Sequence, residues 1–233
     1  FLYQESYGSA QIRGNADLQN GYNYNIDLRY ELFEKNGDML SITAYYKHLK
    51  APIERVQTLS GGSAVHSFRN ADNGMATGVE IEFRKEIVKD LRFGVNGSYM
   101  YTNVKLPEGG AYTNSQRALQ GASPYLANAD LTYSPAFSND RQLSVALLYN
   151  LQGPRIHSVG ISGLGDIKQQ PVHTLNFTGS YRFNRRFAVK LQVNDLLNQD
   201  ILFKQEVPTT GDKVEVERFR KGTGFEVGFS YDL

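Results

Sequence analysis

Apolar and polar residues alternate with a period of two over stretch after stretch of this chain. Tyr22, Tyr24, Ile26, Leu28, Tyr30 and Leu32 interleave with Asn23, Asn25, Asp27, Arg29 and Glu31. Successive side chains of an extended strand point to opposite sides, so this stretch has one apolar face and one wholly polar face. The pattern returns at 40–46, 79–83, 91–101, 125–133, 143–151, 175–183, 187–193 and 225–233. The chain therefore reads as all-β and antiparallel, with about nine strands, most of them near the roughly 9–11 residues that cross a bilayer at a tilt.

The connections between these strands alternate in length. Short turns fall at 34–38, where Asn36-Gly37 suits positive φ, and at 89–90, 135–140 and 184–186. Long polar stretches fall around Gly61-Gly62, at 106–123, at 153–170 and at 194–223, where 196–202 is read as a helical turn. Short turns on the periplasmic side and long loops outside are the pattern of a transmembrane β-barrel. A soluble sandwich has no reason to sort its loops in this way, and its strands run to about 5–6 residues. Tyr22, Tyr46, Tyr101, Tyr133, Tyr149, Phe183 and Phe187 sit near strand ends, where interfacial girdles belong. On this reading Val95, Leu131, Leu147, Val189 and Phe229 face lipid.

Composition narrows the alternatives. The longest wholly apolar run is 145–149, far short of the roughly 20 residues of a membrane-spanning helix. The 25 basic and 24 acidic residues nearly cancel, which gives no reason to expect nucleic acid as a partner. Cysteine is absent, which removes disulfides and thiolate chemistry.

The last strand carries a more specific signal. Glu226, Gly228, Tyr231 and Leu233 resemble the C-terminal insertion signal of outer-membrane β-barrel proteins. Upstream, Arg13-Gly-Asn-Ala-Asp-Leu18 before a Tyr/Asn-rich strand resembles the approach to the late barrel strands of TonB-dependent receptors. Ile42-Thr-Ala-Tyr-Tyr-Lys-His-Leu-Lys-Ala-Pro-Ile53 and Asn73-Gly-Met-Ala-Thr-Gly-Val-Glu-Ile-Glu-Phe83 are similar to the strands that follow in that family. Leu191-Gln-Val-Asn-Asp-Leu-Leu-Asn198 is similar to its Val-x-Asn-Leu-x-Asn segment. The style leans towards receptors of the Bacteroidota, including SusC-like ones.

The resemblance implies a barrel of about 22 strands around a plug, of which this chain is the C-terminal part. It implies import of a scarce nutrient (a glycan, peptide or metal chelate) across the bacterial outer membrane. The implied partners are outer-membrane lipid, an N-terminal barrel portion and plug outside this sequence, the TonB complex acting through that plug, and a surface lipoprotein. Residues 1–18 are expected to be an extracellular loop or the end of a preceding strand, and 19–233 the barrel strands and loops. The alternative is a self-contained ten-stranded barrel, acting as a small pore, adhesin or envelope hydrolase, which needs a further wall strand within residues 1–10.

Candidate chemistry is sparse. His48, His66, His157 and His173 fall on different strands and loops without ligand spacing, so no metal, cofactor or catalytic residue is assigned and no enzyme activity is expected. Charged residues of the polar face, among them Asp27, Arg29, Glu31, Glu80, Glu82, Arg84 and Asp130, are expected to pair across neighbouring strands. Ligand contacts are expected from the long loops. Tyr112, Arg117, Arg155 and His157 are the candidates there, because aromatic and planar donor groups suit sugars, peptides or chelates.

Overall fold

The computed structural model describes residues 4–7, 10–60, 63–106, 113–137, 140–160 and 163–231. Its strands in chain order begin with β1 (Gln4–Tyr7), β2 (Ala10–Arg13), β3 (Tyr22–Phe33), β4 (Met39–Lys50), β5 (Ile53–Ser60), β6 (Ser63–Asn70), β7 (Asn73–Val88), β8 (Leu91–Lys105) and β9 (Gln116–Arg117). They continue with β10 (Tyr125–Tyr133), β11 (Gln142–Gln152), β12 (Arg155–Ser158), β13 (Ile167–Gln169), β14 (Val172–Arg182), β15 (Phe187–Asn194), β16 (Ile201–Glu206), β17 (Lys213–Phe219) and β18 (Gly224–Tyr231).

Nine of them form a wall in the order β18-β15-β14-β11-β10-β8-β7-β4-β3, with the short β9 added to β8. Every neighbouring pair in the wall is antiparallel. Register explains why the alternation is so regular, since a slip of one residue would exchange the two faces of a whole strand. Leu32 lies opposite Leu40, Leu40 opposite Phe83 and Phe83 opposite Val95. Leu131 lies opposite Leu147, Leu147 opposite Phe177, and Val189 opposite Phe229. Val95 meets Ala129, two residues before Leu131, so all five residues expected to face lipid share one face. That face is open: Leu131 is 39 % exposed, Leu147 41 % and Phe229 72 %.

The polar face shows a departure from expectation. Arg29 pairs with Glu31 at 2.6 Å and Arg84 with Glu82 at 2.6 Å, along a strand rather than across strands. The register gives the reason. Arg29 lies opposite Thr43 and Glu82 opposite Ser41 and Asn96, so no opposite charge waits across the ladder. Amides bridge the strands instead: Asn128 Nδ2 donates to Asn96 at 2.8 Å, and Asn150 Nδ2 donates to Asn128 at 2.6 Å.

The wall has two free edges among the described residues, β3 on one side and β18 on the other. Glu226, Gly228 and Tyr231 of the terminal motif lie on β18 opposite Gln192, Lys190 and Phe187, while Leu233 falls outside the described residues. Gln4–Tyr7 adds no tenth wall strand, because β1 pairs with β2 in a separate sheet of order β1-β2-β6-β5. A third sheet, β12-β13-β16-β17, is built from the long connections 153–171 and 195–223. These connections, read as loops in the sequence, thus carry strands of their own. The helical turn expected at 196–202 is instead a tight turn, in which the Asn198 N–H donates to the Asp195 carbonyl at 3.1 Å. Asp195 and Asn198 adopt positive φ (55° and 43°) at its ends, a conformation Asp and Asn tolerate well.

Burial is concentrated where the wall meets these connections. On the polar face Lys47 is followed by Leu49, and Leu49 lies opposite Gly74, which lies opposite Val104. The polar face thus turns apolar at the end that carries the long connections. There Ala71, Val104 and Leu106 form a small core, with Leu119 packed against it. The long connections therefore fold over the polar side of the wall.

Candidate functional site

Three connections interlock to build the outer assembly. The β5–β6 hairpin rises from β4 and β7, residues 113–124 lead into β10, and the connection after β11 brings β12 and β13. Gln120 Nε2 donates to the His157 carbonyl at 2.7 Å, and the Gly121 N–H donates to the Ile156 carbonyl at 2.9 Å. The Thr113 N–H reaches the Gly160 carbonyl at 3.0 Å, and the Gly165 N–H reaches Glu206 at 3.1 Å, which ties in the β16–β17 hairpin.

At the base of the assembly lies an ion pair out of solvent. Arg117 Nη2 stands 2.9 Å from Glu54 Oε2, with side chains 2 % and 5 % exposed. The two atoms meet off the hydrogen-bond axis, so the contact is chiefly coulombic. Burial raises the Glu54 pKa, and the guanidinium beside it acts in the opposite direction. Breaking such a pair on one side leaves a charge stranded in a low dielectric, which is what makes it costly.

Above the pair is a cleft of about 360 Å³ between β5, the turn at Gln120-Gly121 and β12. Ile53, Phe68 and Ile156 give it an apolar lining, and Glu54, Arg55, Gln120, Arg155 and His157 supply its polar groups. Arg155 is oriented by its Nε–H bond to Gln169 Oε1 at 2.8 Å. Gln120 Oε1 is buried with no hydrogen-bond partner. Of the charged residues lining the cleft, Glu54 pairs with Arg117 beneath it, and Arg55 and Arg155 are the two cations.

The structure brings Arg155 and His157 together on this cleft. It places Arg117 beneath, where its guanidinium is occupied by Glu54, and Tyr112 lies outside the described residues. The sequence reading passed over Glu54, Arg55 and Gln120, and weighed His66 only as a metal or catalytic candidate. For the first two a signal existed: Gly61-Gly62 between two strand-length runs is a hairpin signature. Nothing in sequence marks Gln120, whose role depends on the carbonyl of His157. Among the described residues no group of three or more His, Cys, Asp or Glu side chains is placed to hold a metal.

Comparison with known proteins gives both sequence and fold matches. The family described as "Outer membrane protein beta-barrel family" matches residues 6–231. No curated protein matches the chain. Among solved structures, the chain is similar to the ferric enterobactin receptor PfeA of Pseudomonas aeruginosa in complex with enterobactin. The identity there is 16 % and the TM-score 0.63, over 95 % of this chain and 33 % of that one. It is similar to the ferric yersiniabactin uptake receptor FyuA of Yersinia pestis (18 % identity, TM-score 0.61, 91 % of this chain and 30 % of that one). It is also similar to the copper transporter OprC (14 % identity, TM-score 0.64, 93 % of this chain and 32 % of that one). The chain thus spans about a third of the length of these receptors and transporters.

Proposed function

Since the chain belongs to the outer membrane protein β-barrel family and so lies in the bacterial outer membrane, we propose that it forms part of the wall of a TonB-dependent nutrient transporter. Its outer loops help select an anionic cargo such as a metal chelate. The observation that carries this reading is the open-edged wall. A membrane has no water to satisfy the backbone groups of β3 and β18, so both edges require further strands. The likeness to about a third of each receptor chain supports a partner wall of the same polypeptide, enclosing a plug that meets TonB. A SusC-like member would add a surface lipoprotein over the same loops. The self-contained ten-stranded barrel draws no support from β1, which pairs away from the wall.

The cargo class follows from the cleft. Arg55 and Arg155 favour negative charge, and Ile53 and Phe68 favour a partly apolar body. The test is binding by the intact receptor of ferric enterobactin and ferric citrate, both anionic, against a neutral maltooligosaccharide. At least one chelate binds, and Arg155→Ala weakens it roughly tenfold, as expected for a lost charged hydrogen bond. Binding of the neutral sugar alone, or no effect of Arg155→Ala, overturns the cargo assignment.

A further inference from the structure

We propose that His66 and His157 form a proton-operated latch that keeps the outer assembly closed at neutral pH and releases it in mild acid. The use of the latch in transport rests on the cargo reading above, while the latch itself does not.

The two imidazoles come from different sheets. His66 lies on β6 and is 8 % exposed, and His157 lies on β12 at the rim of the cleft. His157 stands edge-on to Phe203 of β16, with ring centroids 4.7 Å apart and planes at 64°. Its carbonyl holds Gln120, and the neighbouring carbonyl of Ile156 holds Gly121. Three connections therefore meet at one seam, and His66, two residues from the cleft-lining Phe68 on β6, lies on the strand face turned to it.

Charges of both signs face that seam. Arg55 on β5 acts on both rings, Arg155 on β12 acts on His157, and the two rings repel each other once charged. Glu217 on β17 opposes them at His157, while Glu54 is already neutralised by Arg117. Burial first, then Arg55 and His157, push His66 down to about 4. Burial likewise lowers His157, with Glu217 partly offsetting it.

The direction of the pH effect follows. A base whose pKa is lowered in the closed form binds more protons once exposed. Its contribution to closure is therefore complete above its exposed pKa, and is lost as pH falls from about 6.5 towards 4. At pH 5 the opened seam gains roughly tenfold or more in population relative to pH 7.5.

The experiment is hydrogen exchange on the intact receptor in detergent micelles at pH 7.5 and 5.0, corrected for intrinsic rates. Amides of 113–121 and 153–160 are expected to open at least tenfold more readily at pH 5.0, while amides of β11 stay unchanged. The double variant His66→Gln, His157→Gln is expected to lose that pH dependence. Equal protection of the wild-type loops at both pH values overturns the latch. Should the variant open at both pH values, NMR titration of the wild-type imidazoles decides: both must titrate below 6, and a value at or above 6.5 for either overturns the proposal. A receptor that opens in acid yet binds no anionic chelate keeps the latch and refutes the cargo assignment alone.

Discussion

In the wall, Leu28, Phe225 and Phe229 are 76 %, 74 % and 72 % exposed, whereas Val104 and Leu106 beneath the outer assembly are 0 % and 1 % exposed. The wall consists of paired backbones with two faces left for two solvents, lipid on one side and water on the other. The outer assembly holds a small apolar core, a buried ion pair, a buried histidine (His66) and a half-buried one (His157) of its own. Substitutions in the wall should therefore be judged by face and depth. In the assembly they should be judged by which partner is left unsatisfied.

The largest effect is expected where the assembly is most like a protein interior. Arg117→Met leaves Glu54 buried without its partner and should cost about 3–5 kcal/mol of local stability, read as protease nicking within 113–121 and 153–160. The double variant Glu54→Leu, Arg117→Met should restore much of it, since replacing both charges is often neutral or stabilising. An equal loss in both variants would show that the pair acts by shape rather than charge.

In the wall, the sharpest contrast lies between adjacent residues. Leu147→Arg should cost about 2–4 kcal/mol in a urea titration of the vesicle-inserted protein, because mid-bilayer lipid rejects the charge. Leu148→Arg, on the opposite face beside Asp130 and Asn176, should cost little. Equal costs at the two positions would erase the distinction between the faces.

A smaller effect tests close packing within the wall. A Cβ at Gly78 would overlap the Tyr99 carbonyl oxygen and lie 2.6 Å from the Tyr45 hydroxyl oxygen. Gly78→Ala should therefore cost about 1–3 kcal/mol by overpacking. Gly94→Ala meets the Asp130 side chain, which can swing away, and should cost less in the same titration.

The wall was legible because lipid and water both read the period of two, and register then fixes every neighbour. The assembly was not, because its key contacts join residues far apart in sequence. Arg117 has the chemistry of a ligand contact, and only the placement of Glu54 turns it into an internal strut. Arg155 and His157 emerge on one cleft because β12 exposes alternate side chains, which their spacing already contained. Cross-strand charge pairing failed as an expectation because sequence gives the face of Arg29 and Glu82 but not the residues opposite them.

The two ends of the wall should also part company in acid, with the smallest effect at the short turn. The backbone N–H of Glu86 donates to Asp38 at 2.9 Å and, with Asn36, Lys85 and Arg92, holds its carboxyl below the usual range. A lowered carboxylate contributes stability that is present above its unfolded value near 4 and fades as pH falls further. Hydrogen exchange should therefore show the loops opening between pH 6.5 and 4, and the 34–38 turn loosening only below that. Asp38→Asn should remove the second step and leave the first.

The most direct test is the intact mass of the native outer-membrane polypeptide that carries this sequence, measured under denaturing conditions. A mass several-fold above the 26.2 kDa of these residues is the expected result and makes the chain one arc of a larger wall. A mass near 26.2 kDa, with no second chain pairing to β3 and β18, would contradict it.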